Sequence, residues 1–63
     1  MTLRFEAECR ARDGDILVFE REDRGIYVYI GEKDSNWIKE DFILSISDAV
    51  ELAKAILKEY DND

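Results

Sequence analysis

The chain opens on strict alternation. In TLRFEAECRA, residues 2–11, Leu3, Phe5, Ala7, Cys9 and Ala11 share one parity, and Arg4, Glu6, Glu8 and Arg10 the other. That period of two predicts a half-buried strand over about 2–11. Asp13-Gly14 follows, a pair suited to the positive φ values of a tight hairpin turn. Across such a turn Ala11 lies beside Ile16 and Cys9 beside Val18. Directly opposed residues share a face, so Ile16 and Val18 are expected with Leu3 and Phe5, and Leu17 and Phe19 on the other side.

The next run, DILVFEREDRGIYVYI, predicts strands over about 15–21 and 26–31. Asp23-Arg24-Gly25 between them fits a three-residue loop with glycine in the left-handed position and a bulge. Glu22 then falls near Ile26, Glu20 near Val28 and Val18 near Ile30, which sets Tyr27 and Tyr29 beside Leu17 and Phe19. GEKDSN, 31–36, is a polar loop, and WIKEDFILS predicts a fourth strand over about 37–45 with Ile38, Phe42 and Leu44 inward.

Helical spacing takes over in the last segment. Ala49, Leu52, Ala53, Ile56, Leu57 and Tyr60 recur on one face of a helix over about 48–60. Ser47 is the expected N-cap and Ile46 the staple before it. Asp48 and Glu51 near the start and Lys58 near the end suit the helix dipole. The order is ββββα: one α+β domain over 1–63, an antiparallel four-stranded meander with its C-terminal helix packed on one face.

One helix covers one face of a sheet. On the expected register the open face carries Leu17, Phe19, Tyr27 and Tyr29, joined by Trp37, with Arg4, Glu6, Glu8 and Arg10 as a charged margin. An apolar patch with a polar rim has the form of an interface. A 63-residue domain buries little surface and gains stability by associating, so the expected occupant is a second copy in a homodimer.

Charge narrows the partners. Nine basic residues stand against 16 acidic ones, a net charge of −7 with no histidine. This disfavours nucleic-acid phosphates and anionic membranes, and either serves solubility alone, the commoner use of such a charge, or favours a basic protein partner. Glu20, Glu22, Asp23, Glu40 and Asp41 form the candidate acidic binding surface, able to occupy a cationic site as phosphates would. No catalytic residues are expected: histidine, a glycine-rich phosphate loop and an activated nucleophile are all missing. Cys9 stands alone and on the expected buried side, so no internal disulfide forms and the thiol is packing. Asp13-Gly14-Asp15 and Asp34-Ser35-Asn36 supply oxygens without the spacing of a calcium loop, and no metal or cofactor is expected. No apolar run reaches membrane-spanning length and the N-terminus has no signal-like core, which predicts a cytosolic protein.

Four antiparallel strands followed by ILSISDAVELAKAIL resemble the PC4 (positive cofactor 4) family of single-stranded-DNA-binding proteins and its short bacterial and phage relatives. The resemblance implies a dimer that binds single strands on its sheets. It covers the topology and about the last fifteen residues of the motif, and the family's basic loop residues have no match here. In composition the chain is also similar to small acidic phage proteins that block host nucleases or other defence enzymes. That style implies a non-enzymatic inhibitor with an anti-defence or host-takeover role.

Overall fold

The computed structural model describes residues 2–61. Strands β1 (Arg4–Glu8), β2 (Asp15–Glu22), β3 (Gly25–Glu32) and β4 (Ile38–Leu44) form one antiparallel sheet in the order β1-β2-β3-β4, and helix α1 (Ile46–Tyr60) follows. The ββββα, α+β architecture is as the periodicities predict. The registers differ from the expected ones at both hairpins, and the faces change with them.

At the first hairpin Phe5 pairs with Phe19, Ala7 with Leu17 and Glu6 with Val18. Leu3, Phe5 and Ala7 therefore share the side of Leu17 and Phe19, not that of Ile16 and Val18. The phenylalanine rings meet edge to face with centroids 6.3 Å apart, and Arg4 opposes Glu20. The apolar pairs Phe5–Phe19 and Ala7–Leu17 and the opposite charges of Arg4 and Glu20 favour this register over the tight turn that Asp13-Gly14 suggests. β1 ends at Glu8, and residues 9–14 make a longer connection in which Gly14 alone takes a positive φ, 87°. Cys9, expected to be buried, lies exposed in that connection.

At the second hairpin Glu22 pairs with Gly25 and Val18 with Tyr29, the register of a two-residue loop, Asp23-Arg24. The Glu22 carboxylate folds back over the loop and accepts from the Arg24 backbone N–H and from its guanidinium, which fixes the shorter turn. Gly25 is required for a different reason than the left-handed loop position: a Cβ there would collide with the Leu44 carbonyl oxygen of β4. Relative to the three-residue loop, β3 is displaced by one residue and each of its side chains changes side.

The sheet has two unlike faces as a result. Face A carries Phe5, Leu17, Phe19, Ile26, Val28, Ile30, Phe42 and Leu44. Face B carries Arg4, Glu6, Glu8, Ile16, Val18, Glu20, Tyr27, Tyr29, Asp41 and Ile43. Between Ile30 and Gly31 the β3–β4 ladder shifts, so that Lys39 is the extra residue and Ile38 opposes Gly31. Ile38 thereby leaves the face of Phe42 and Leu44, to which its parity had assigned it.

The helix begins two residues earlier than its spacing suggests. Ser45, not Ser47, is the N-cap: its Oγ accepts from the Asp48 N–H at 3.1 Å, and its carbonyl accepts the first helical bond from Ala49. Ile46, expected as a staple outside the helix, becomes its first residue. Asp48 in the first turn and Lys58 in the last match the dipole. The helix meets the sheet chiefly at β3, and none of its residues is buried.

Candidate interaction surfaces

The residues of the anticipated apolar patch divide between the two faces. Leu17 and Phe19 stand on face A, while Tyr27 and Tyr29 stand on face B. Trp37 precedes β4, is 66% exposed, and lines the same shallow groove as Tyr29. That groove, about 410 Å³, runs over face B between Arg4, Glu6, Ile16, Tyr29, Trp37 and Ile38. Three of the five anticipated patch residues thus belong to a polar face and two to an apolar one.

Face B is built around a ladder of charge. Arg4 Nε donates to Glu20 Oε2 and its Nη1 to Glu6 Oε1, both at 3.1 Å. Those two carboxylates, with Tyr29 alongside, raise the guanidinium above its ordinary pKa. Tyr27 and Tyr29 lie with ring centroids 5.3 Å apart, and the Tyr27 hydroxyl donates to Asp41 Oδ2 at 3.0 Å. That bond, with burial and the Asp41 charge behind it, pushes the Tyr27 phenol up. Lys33 reaches Glu8 at 2.9 Å and is raised by it. Arg24 holds the Glu22 carboxyl below its usual range. Val18, at 0% exposure, is the buried centre beneath these groups.

The anticipated acidic surface is partly assembled. Glu20, Glu22 and Asp41 lie on face B. Asp23 sits in the β2–β3 turn beside Glu22, and Glu40 opposes Ile30 on face A. Glu6 and Glu8 complete the acidic set on face B; the alternation of β1 contained them, but the expected register had put them on the opposite side from Val18. The cations do not gather. Arg4 is engaged on face B, Arg21 lies on face A, and Lys39 pairs with Asp15 at 2.7 Å.

Face A has the opposite character. Phe5 is 56% and Phe42 63% exposed, with Phe19 and Val28 between them. Its charged groups stand at the ends: Arg21 and Glu40, and Lys39 between Glu32 and Asp15, of which Asp15 is only 8% exposed. Among the described residues no group of three or more His, Cys, Asp or Glu is placed to hold a metal ion, and no helix is long and apolar enough to cross a membrane. No protein-family model, curated protein or solved structure matches the chain.

Proposed function

We propose that this chain is a non-enzymatic interaction protein, a homodimer that uses face B to occupy and block a basic site on a protein partner. The observation that carries the reading is the separation of surfaces. Glu6, Glu8, Glu20, Glu22 and Asp41 surround a tyrosine pair on one side of the sheet, and the other side is apolar. Carboxylates at strand spacing beside flat aromatic rings can meet a cationic groove as a phosphate backbone would, with rings for its apolar floor. We extend the reading to a cytosolic role of the anti-defence or host-takeover kind, on the likeness in composition to small acidic phage inhibitors. The PC4-like alternative needs cations free to meet phosphates, and Arg4 between two glutamates is a weak candidate for that.

The test is a partner captured from bacterial lysate, identified by mass spectrometry and then purified for binding measurements at increasing salt. Affinity falls as salt rises, because charges separated by more than about 8 Å are screened at physiological ionic strength. Glu20→Lys with Asp41→Lys slows association at least about tenfold, whereas Glu40→Lys, on the other face, changes it little. Salt-independent binding, or equal sensitivity at Glu40, refutes the use of face B. Tight binding of an oligonucleotide instead would establish the alternative.

A further inference from the structure

We infer that two copies of this chain associate by exchanging helices, the apolar stripe of α1 from each copy lying on face A of the other's sheet. The inference rests on the homodimer proposed above and specifies which surfaces meet.

Two apolar surfaces of one chain are left in water. On α1, Val50, Leu52, Ile56 and Leu57 are 44%, 46%, 50% and 62% exposed. With Ile46, Ala53 and Tyr60 they span an arc of roughly 160° at 3.6 residues per turn, wider than the roughly 100° that a single supporting surface requires. On the sheet, Phe5 and Phe42 are more than half exposed. The chain does not bring its own stripe onto its own face A. Only Ser45 separates Leu44 from Ile46, and the cap holds it extended at φ −64°, ψ 153°. The backbone on both sides of that residue is fixed, by Gly25 against the Leu44 carbonyl and by the Ser45–Asp48 bond.

The areas match a second copy. The chain exposes 5623 Å², about 1,400 Å² more than the roughly 4,200 Å² of a folded monomer of its mass. Its radius of gyration is 13.1 Å, against about 11 Å for a compact domain of this length. Covering that excess on both copies buries about 2,800 Å², within the range of obligate homodimers. Charge points the same way. Each chain carries −7, and face A is the surface on which two copies can meet with their face B carboxylates outward. Lys54, Lys58, Glu51 and Glu59 occupy the arc of α1 opposite the stripe and stay in water. Pairing of the helices alone would leave the phenylalanines of face A exposed. A four-stranded face about 19 Å wide takes a helix about 10 Å across with room beside it. The stripe can then meet the partner sheet on one side and the partner helix on the other.

Sedimentation equilibrium and isotope-filtered NOE spectroscopy on a mixture of ¹³C-labelled and unlabelled chains test this. A dimer is expected, with intermolecular contacts from the Leu52, Ile56 and Leu57 methyls to the rings of Phe5, Phe19 and Phe42. Phe42→Asp and Leu57→Asp should each raise the dimer dissociation constant at least tenfold while preserving the circular dichroism of the folded chain. A clean monomer at tens of micromolar overturns both the exchange and the homodimer. A dimer whose intermolecular contacts run only helix to helix, through face B, or along a strand edge overturns the exchange alone. The use of face B by a basic partner is read independently, from the salt dependence of that complex.

Discussion

Ser45 and Ser47 stand either side of Ile46, and only Ser45 caps the helix. Starting two residues earlier brings Ile46 into the helix, in line with Ala49, Val50 and Ala53. Ser45→Ala should therefore cost about 0.5–2 kcal/mol and Ser47→Ala close to nothing, read as midpoints of urea denaturation. Tyr27 gives a pH dependence. Its neutral hydroxyl is the form that donates to Asp41, and the bond raises its pKa above the ordinary tyrosine value. A proton held more tightly in the folded state stabilises at pH below the unfolded tyrosine pKa, and that stability is lost as pH rises through the folded value. Asp41→Asn should move the Tyr27 titration to lower pH, seen by ultraviolet absorbance as the difference between chains with and without Tyr27→Phe. The chemistry of each residue was legible in the sequence. Whether Tyr27 would neighbour Asp41 or Phe19 was not, because that depends on which side of β3 faces which side of its neighbours.

Strands and helix were legible because their apolar periods, two and then 3.6, are properties of consecutive residues. The pairing between strands was not, because β2 and β3 are apolar on both parities. Leu17 and Phe19 on one side, and Ile16 and Val18 on the other, let either register bury something. Turn residues were the only local guide. The Glu22 carboxylate closing on Arg24 selected a two-residue loop where Gly25 suggested three. The bulge at Lys39 escaped the parity of β4 for a related reason: its cause lies across the sheet, where Lys39 reaches Asp15 on β2. Lys39→Met strips the partner from a nearly buried carboxylate and should cost about 1–3 kcal/mol in chemical denaturation. Adding Asp15→Asn should return part of that loss, since neighbouring changes do not add.

At the scale of the whole molecule the charge has two locations with different effects. On face B it is gathered around the tyrosine pair, the surface proposed to meet a partner. Along the edges of the sheet, Arg4, Glu6 and Glu8 on β1 and Lys39, Glu40 and Asp41 on β4 discourage another strand from adding to the open hydrogen-bonding rows. A dimer joined through face A displays face B twice on its outside, so a partner with two basic sites within reach gains avidity without new contacts. The meander itself bears on how such a dimer forms. Every strand pairs with its neighbour along the chain, so the sheet closes through short loops, a fast process that a single molecule completes by itself. In the proposed dimer, covering face A requires an encounter and proceeds at a rate set by concentration. On that proposal, newly made chains pass through an interval in which a finished sheet shows its phenylalanines to every other nascent protein nearby. During that interval the charged borders of β1 and β4 act as the chain's own chaperone, holding back edge-on stacking until the right surface arrives.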